Sequence, residues 1–600
     1  MLARLKAFLE RRWLMGTLFL WLAFSTLVTT MNVVAIATLN LRDTDDNLRL
    51  LQVRDWLGGQ GWYDLRQYRM LAPEGADIHW SRLVDLPIAG LILISEPFLG
   101  AEAAELFALA MAPLMALLVA AVAIALVARR VAGKLAWLPA MLILVFSPIA
   151  IGNFFPMRID HHGWQLACLA WVMAGAVDPN KRRGGIIAGI ATAASLTIGL
   201  ELLIPLALIG AGLVLSWVWK AEEARRIGSY GVALALGCGL GFLLFASEAN
   251  RALRCDALTP VWLSDMMLAG AAALLLAWKS PPTWKGRLIL AGIAGVVLAA
   301  FHGVAFPQCL SRLEGVDPAV SELWLERVSE ARGAHEHSLR TAWSALTPLV
   351  VGMIGYILAW RLLPAGEGHR RHLLVLGVPM LAAIGLVFWQ IRAGGPAQLM
   401  AVPGAAAFVM LLLPRTLASG SALVRIIGTY LVAVIGLGAL GTIASNYLPK
   451  NEAEVKREAK EKVVNNDEEP ASNCQQSWVM GQLDRIEPAT IFTHIDLAPR
   501  LLVTTHHTTI TGPYHRNDEA IGMVLSVLLS QPDEDADAER TVRGLGSDYV
   551  MICDERGPGD ELPDADRLDA RLVRGEVPDW LEPVDERWLE GSPIKLFRVK

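Results

Sequence analysis

Four aspartates occur in the segment RDTDDNLRLLQVRDW at residues 42–56, directly after an apolar run that begins at Trp13. Three of them, Asp43, Asp45 and Asp46, lie within four residues of one another. Closely spaced carboxylates supply the hard oxygen ligands that Mg²⁺ and Mn²⁺ prefer. The segment could therefore hold a divalent cation, or it could be a solvated rim of charge at a helix end.

A second group of ionisable residues lies in FFPMRIDHHGWQL at 154–166, between two apolar segments. Charged groups at membrane depth are energetically costly and are therefore candidates for function. Asp160 and His162 are two residues apart and can point the same way in an extended segment, which suits ligation by a carboxylate and an imidazole. Alternatively, the two histidines only cap the helix that follows.

Two later segments add one acidic and one basic residue. Glu330 ends a series of glutamates spaced four residues apart, a pattern of one helical face that is often only solvated. Arg392 stands at the end of a late apolar run, where its planar guanidinium is suited to a phosphate or pyrophosphate. The alternative for Arg392 is an interfacial side chain that extends toward water.

A polar cluster near the C-terminus, TTHHTTITGPYHRND at 504–518, surrounds a turn at Gly512 and Pro513. One interpretation is that His515, Arg516 and Asn517 fold over a membrane-facing cavity and contact a donor phosphate or an acceptor. The other is a polar loop that hydrogen-bonds only to itself.

The composition indicates what must position these residues. The chain has 600 residues, is 54% hydrophobic and only 18% charged, and contains 20 tryptophans, which is too apolar for a water-soluble protein. Thirteen runs are long enough to span a bilayer, although one short run and one poorly marked boundary leave eleven or twelve possible. The runs are 13–38, 106–128, 135–151, 164–178, 184–200, 201–219, 229–247, 260–277, 287–306, 345–361, 373–390, 396–414 and 424–446.

The basic residues predict the orientation, because short cytoplasmic loops carry the excess of Lys and Arg. With thirteen spans, every basic loop falls on the cytoplasmic side. The loops 39–105, 152–163 and 307–344 and everything after about residue 447 then lie outside. We therefore expect a multi-pass protein of a bacterial inner membrane with a periplasmic C-terminal domain.

The predicted domains are a transmembrane domain at 1–446, a charged linker at 447–475 and an outer domain at 476–600. In the outer domain, ATIFTHI, RLLVTTH, DYVMICD and IKLFRV have the pattern of strands, and DEAIGMVLSVLLS has that of a helix, which indicates a small α/β domain. Six cysteines show no zinc-ligand spacing. Cys474 and Cys553 could form a disulfide or remain two thiols. We expect no nucleic-acid partner.

The order of these features resembles the oligosaccharyltransferase catalytic subunits of the GT-C membrane glycosyltransferases. That family has thirteen spans and moves glycans from a polyprenyl-linked donor on the outer face. The resemblance implies that Asp46 corresponds to the family's acidic residue in the first outer loop, and that Asp160 and His162 correspond to the metal-binding pair in the second outer loop. It also implies that Glu330, in RVSE, completes the late-loop motif and that Arg392 contacts the donor pyrophosphate.

One feature departs from the family. The acceptor motif Trp-Trp-Asp-Tyr-Gly is absent after residue 447, where the nearest tryptophan lies in QQSWVMGQL. The acceptor is therefore left open as a lipid, a glycan or a protein.

These observations predict a metal-assisted glycosyltransferase that uses a polyprenyl-phosphate or polyprenyl-diphosphate donor. Mg²⁺ or Mn²⁺ held by Asp46, Asp160 and His162 would act as a Lewis acid. Arg392 and Arg158 would bind the donor phosphate and help to neutralise the leaving group.

The other candidates concern the acceptor. Asp43 or Asp45 could orient or deprotonate an acceptor hydroxyl, Glu330 could complete the site, and His161 could contact substrate. A single displacement with inversion is expected, because no second carboxylate is placed as a covalent nucleophile. The alternatives are a protein oligosaccharyltransferase without the usual acceptor motif, a lipid or glycan transporter, and a non-catalytic partner protein.

Overall fold

The computed structural model describes residues 2–310, 316–363, 366–449, 455, 473–554, 556, 563 and 565–600. Most of the predicted linker at 447–475, and residues 311–315 of the predicted outer loop 307–344, lie outside the described residues.

Twenty α-helices form in the described residues before position 450. They are α1 (Leu2–Arg11), α2 (Trp13–Met31), α3 (Val33–Ala37), α4 (Thr44–Leu57), α5 (Asp85–Leu99), α6 (Ala101–Ala132), α7 (Trp137–Val145), α8 (Pro148–Gly152), α9 (His162–Ala176), α10 (Lys181–Ile198), α11 (Leu203–Trp219), α12 (Ala224–Phe245), α13 (Pro260–Lys279), α14 (Trp284–Ala305), α15 (Pro318–Leu323), α16 (Leu339–Leu362), α17 (Glu367–Trp389), α18 (Gly394–Leu417), α19 (Thr429–Gly436) and α20 (Ala439–Ser445). Short 3₁₀ helices include Ser329–Ala331 in the late loop and Ile391–Ala393 before α18, and a π-helix at Val424–Gly428 precedes α19.

Each of the thirteen predicted runs contains helix, so the prediction of a polytopic helical membrane protein is confirmed. Within the described residues, eight helices are individually long and apolar enough to cross a membrane: α2, α6, α12, α13, α14, α16, α17 and α18. A ninth is counted if Val424–Gly436 and Ala439–Ser445, which are bent by 82°, form one span. The other runs give helices that are shorter, such as α9 with 15 residues, or that begin with basic residues, as α10 does.

Helix α18 lies at the centre of the bundle and packs against α6, α7, α16 and α17. Its residues from Gly394 to Val409 are buried. Gly355 of α16 and Gly404 of α18 face each other so closely that a methyl group on either would overlap the opposite backbone. Small residues of this kind allow helix backbones to approach within a membrane. This contact fixes the position of α18 and of the segment before it.

The C-terminal region is a mixed α/β structure, as predicted. Its helices are α21 (Ser477–Met480), α22 (Ala498–Thr504), α23 (Asp518–Leu528), α24 (Asp535–Gly544) and α25 (Leu568–Arg574), and its strands are β1 (Thr490–Thr493), β2 (Thr508–Thr509), β3 (Tyr549–Cys553), β4 (Leu581–Pro583) and β5 (Ile594–Val599). The sheet order is β2-β1-β3-β5-β4. Strand β1 is parallel to β2 and β3, with Ile491 opposite Tyr549, whereas β5 is antiparallel to β3 and β4.

One predicted strand is wrong. RLLVTTH, at 500–506, lies mostly in helix α22, which begins with Pro499 in its first turn. Leu501, Leu502 and Val503 are all buried because α22 is enclosed between the sheet region and α4. A short apolar run that is buried on every side has no periodicity that separates strand from helix.

Two arginines, the buried Arg500 and the half-buried Arg69, join the C-terminal region to the predicted first outer loop. Arg500 donates hydrogen bonds to the carbonyl of Leu39 and to the side chains of Asn40 and Asn47. Arg69 donates in the opposite direction, to carbonyl oxygens of the C-terminal region that include that of Leu502 at 2.8 Å. The C-terminal region therefore holds the helix that carries the first aspartate group.

Two disulfides are present. Cys474 is bonded to Cys553, which resolves the alternative left open by the sequence, and Cys255 is bonded to Cys309, a pairing that we did not predict. Cys168 and Cys238, both within helices, are free thiols.

Candidate functional site

Three of the predicted aspartates begin helix α4. Asp43 precedes the first turn, and its side chain accepts the backbone N–H of Asp45 at 3.5 Å. Asp45 and Asp46 lie within that turn. An acidic side chain there supplies the acceptor that the first N–H groups lack, and the positive end of the helix dipole favours its negative charge. Local sequence therefore places three carboxylates at one helix end.

Asp46 joins the first outer loop to the second. Its side chain is fully buried, and Oδ1 accepts the backbone N–H groups of Ile159 at 2.8 Å and of Asp160 at 2.9 Å. The two acidic segments that the sequence analysis placed on one side of the membrane are thus in direct contact.

Arg158 lies among the carboxylates. Its Nη1 is 2.5 Å from Asp43 Oδ2 and 3.4 Å from Asp46 Oδ2, and its Nη2 is 2.8 Å from Asp160 Oδ2. Three acids therefore share one guanidinium. We predicted Arg158 as a ligand of donor phosphate, but its planar fork is directed mainly at these acids, where the sequence analysis placed a cation.

Asp160 also binds the start of helix α9. Its Oδ1 accepts the backbone N–H of His162 at 3.0 Å, and its Oδ2 is 3.1 Å from His162 Nδ1. Burial favours the protonated carboxyl, but Arg158 and His162 outweigh it and hold the pKa of Asp160 well below its ordinary value. Burial lowers the pKa of His162, but Asp160 raises it to about 10. A cation bound through His162 would have to displace a proton from its ring.

The donor types of this cluster fit Mg²⁺ or Mn²⁺, since four carboxylates outnumber the nearby cationic side chains. Burial, with the charges of Asp43 and Asp160, raises the pKa of Asp45 to about 8. The geometry fits less closely. In the described part of the chain, the sets of three ligand atoms that lie within 4.8 Å of one another are His79, Asp256 and His515, and Asp484, His506 and His507. The predicted trio is not among them.

Glu330 and Arg392 approach the cluster from the late part of the chain. Glu330 contributes, after burial and nearer acids, to the raised pKa of Asp45. Arg392 donates from Nε to Gln390 Oε1 at 2.9 Å. The backbone N–H of Ile391 donates to the carbonyl of Arg332 at 2.8 Å, so the late loop is bound to the segment that carries Arg392.

A cavity of about 1030 Å³ connects these residues. Its polar lining contains Arg42, Arg158, His162, Gln165, Glu201, Glu330, Gln390 and Arg392. Its apolar lining comes from membrane helices and includes Ile149, Leu166, Leu203, Ile204, Leu386 and Trp389. The cavity therefore offers a charged end and an apolar wall, which suits an amphipathic molecule with an anionic head.

One acidic residue of this cavity, Glu201, escaped the sequence analysis. Glu201 lies between α10 and α11, where its Oε2 accepts a 2.6 Å hydrogen bond from Gln165. His161, which we predicted to contact substrate, is buried beside the cavity instead: its Nε2 is 3.4 Å from Glu201 Oε1, and its ring stacks on His162 at 4.4 Å. An acid in the 36-residue apolar stretch from 184 to 219 was a detectable signal, but the span boundary drawn at residue 200 concealed it.

The predicted C-terminal contacts lie elsewhere. Arg516 forms two hydrogen bonds with Asp256, at 2.7 and 2.8 Å, and His515 Nε2 is 2.7 Å from the same carboxylate. Asn517 Oδ1 accepts the backbone N–H of Asp77 at 3.0 Å. None of the three lines the cavity. They join the C-terminal region to the membrane part, and their predicted role in binding substrate has no support from this placement.

The same arrangement of helices and C-terminal region occurs in solved structures. The archaeal oligosaccharyltransferase AglB from Archaeoglobus fulgidus, in complex with an inhibitory peptide and a dolichol-phosphate, matches with a TM-score of 0.62 and 17% identity over 91% of this chain and 70% of that chain. The chain has a GT-C fold. A complex of the same archaeal protein with Zn and sulfate matches with a TM-score of 0.57 and 17% identity over 89% of this chain and 68% of that chain.

A looser likeness of this chain is to ArnT from Cupriavidus metallidurans bound to undecaprenyl phosphate, with a TM-score of 0.47 and 13% identity over 97% of this chain and 98% of that chain. No protein-family model and no curated protein sequence matches the chain. A fold hosts many reactions, so the function has to be argued from the site.

Proposed function

We propose that this protein is a glycosyltransferase that moves a sugar or glycan from a polyprenyl-phosphate or polyprenyl-diphosphate donor to an acceptor at the outer face of the membrane. The observation that carries the proposal is the cavity, in which Arg158, Glu330 and Arg392 lie beside an apolar wall of membrane helices. Arg158 in turn binds Asp43, Asp46 and Asp160. The GT-C fold, shared with a protein solved with dolichol-phosphate, supports it.

The donor fits the two surfaces of the cavity. A polyprenyl tail remains in contact with lipid and with the apolar wall, while its phosphate reaches the polar end. We assign Arg392 to that phosphate, because a guanidinium binds phosphate oxygens in pairs and neutralises the charge that develops on the leaving group. Arg158 lines the same cavity, and we assign it first to holding the carboxylates together and second to the phosphate.

The aspartates fit a divalent cation, Mg²⁺ or Mn²⁺, held by Asp46, Asp160 and His162. When bound, such a cation supplies a Lewis acid for the leaving phosphate. Asp43 or Asp45 would orient or deprotonate the acceptor at the start of α4, and Glu330 would complete the site from the late loop. The reaction is a single displacement with inversion at the anomeric carbon.

The proposal includes thirteen spans and an outer site on the periplasmic face of a bacterial inner membrane. The cysteines support this orientation. All four bonded cysteines lie in segments that the basic loops assign to the outside, and both free thiols lie in helices. Disulfides persist in the periplasm and are rare in the cytosol.

Purified full-length protein, incubated with polyprenyl-phosphate and polyprenyl-diphosphate sugars, tests the proposal. Each donor is offered a lipid, a glycan and a peptide as acceptor, and sugar transfer is measured by mass spectrometry. Asp160→Asn and Arg392→Gln should each lower transfer by at least about 100-fold, the usual range for a group that stabilises the transition state.

The matched control is Asp178→Asn. Asp178 is also a buried aspartate with two arginine partners, Arg130 at 2.9 Å and Arg183 at 2.8 Å, but it follows the C-terminal end of α9, whereas Asp160 precedes the N-terminal end. The proposal fails if the control loses as much activity as Asp160→Asn, or if no sugar is transferred with any pair of donor and acceptor. Transfer to the peptide alone would identify a protein oligosaccharyltransferase without the usual acceptor motif.

A further inference from the structure

A second concave surface, the α10–α12 groove, runs along helices α10 and α12. It has a volume of about 830 Å³ and shares no lining residue with the cavity described above. The two helices approach closely because small residues meet, as Gly185 does with Ser229 and Gly189 with Ala233. Larger side chains on either side form the walls.

The groove is as long as a membrane is thick. Its lining on α12 extends from Arg225 to Phe245, and 20 residues of helix at ~1.5 Å each span about 30 Å, the thickness of the hydrocarbon core. Helix α12 is among those apolar enough to cross a membrane. Leu236 and Leu240 on its rim are 63% and 59% exposed. The groove therefore opens to lipid.

The charged residues that line the α10–α12 groove lie at one end of it. Arg182 and Arg225 are the charged residues that line the groove, and both are exposed. Neither forms an ion pair within the described ranges, although acids are near: Glu222 is bound to Lys181 at 2.6 Å and Glu223 to Arg226 at 2.7 Å. Two cationic side chains thus lie at one end of an apolar channel, and no acid among the described residues pairs with them.

We propose that the α10–α12 groove is a binding site for one anionic phospholipid. Its phosphate lies between Arg182 and Arg225, and its acyl chains follow the small residues toward the middle of the membrane. A zwitterionic lipid would gain the same apolar contacts but would bring no net charge to the arginines. Basic residues at a membrane surface contribute about 1 kcal/mol each toward anionic lipid, so two favour it by about 30-fold. The site is independent of the proposed transferase activity.

Native mass spectrometry of the full-length protein, released from vesicles of phosphatidylcholine and phosphatidylglycerol, tests this site. The wild type should retain phosphatidylglycerol in preference to phosphatidylcholine by about 30-fold. Arg182→Gln/Arg225→Gln should remove most of that preference. The matched control, Arg11→Gln/Arg361→Gln, removes two exposed arginines from other helices and should leave it unchanged.

A second variant tests the apolar part of the groove. Ala194→Phe places a ring in the channel while both arginines remain, and it should reduce the retention of either lipid. Equal retention of the two lipids by the wild type would overturn the proposal. An equal loss of preference in the two double variants would also overturn it, because the attraction would then come from general surface charge.

Discussion

Asp46 has two roles that one pair of substitutions can separate. In Asp46→Ala, the N–H groups of Ile159 and Asp160 lose their acceptor. Each buried unsatisfied N–H costs about 1–3 kcal/mol, so opening of the 158–162 segment becomes easier by about 2–6 kcal/mol. In Asp46→Asn, the remaining carbonyl oxygen still accepts both hydrogen bonds, and the oxygen that faces Arg158 is replaced by an amide nitrogen.

Hydrogen exchange of the full-length protein in detergent measures the difference. In Asp46→Ala, exchange of the amides of residues 159 and 160 should be at least about 30-fold faster than in the wild type, whereas in Asp46→Asn it should stay near the wild-type rate. Sugar transfer should fall in both variants. Asp45→Ala is the control, because among the described residues Asp45 accepts no hydrogen bond from this segment. Equal protection in the alanine and asparagine variants would refute the structural role of Asp46.

Three further outcomes are expected. Chelation of divalent cations should abolish sugar transfer and Mg²⁺ or Mn²⁺ should restore it; transfer that persists with EDTA would remove the Lewis-acid role. A thiol-reactive polyethylene glycol should add to denatured protein twice before reduction, at Cys168 and Cys238, and six times afterwards, and any other pair of counts on a gel contradicts the disulfides. Burial favours the protonated form of Asp256, but Arg516 and His515 hold its pKa well below the ordinary value. Its contribution to stability is therefore complete above about pH 4 and lost as the pH falls further, so the difference in melting temperature between wild type and Arg516→Gln should shrink below pH 4; a constant difference would exclude this ion pair as its source.

Local sequence patterns were sufficient to predict most of the helices and strands. Long apolar runs become helices in a bilayer because a spanning backbone can satisfy its hydrogen bonds only internally, and every predicted run contains helix. The acids at 43–46 follow the same logic, because such residues favour the first turn of a helix. Three of the four predicted strands, β1, β3 and β5, and the helix α23 also form.

Local sequence rules failed where the buried residues form no periodic hydrophobic pattern. Leu501, Leu502 and Val503 in the run at 500–506 are all buried because α22 lies between a sheet and α4, so these residues show neither a period of two nor one of 3.6. Glu201 was missed for a related reason: two helices meet at its turn, and hydropathy marks the boundary between the runs 184–200 and 201–219 only poorly.

The sequence by itself determined that acids and imidazoles stand at helix ends beside apolar spans, since these properties depend on residue type and spacing. Only the tertiary structure decided which charges meet. Arg158 reaches Asp43 across 115 positions of chain, and Arg516 reaches Asp256 across 260. A buried charge pairs with whichever opposite charge the tertiary packing brings within about 4 Å, because the low dielectric makes an unpaired charge costly. The residues adjacent to it in the sequence do not reveal which partner that will be.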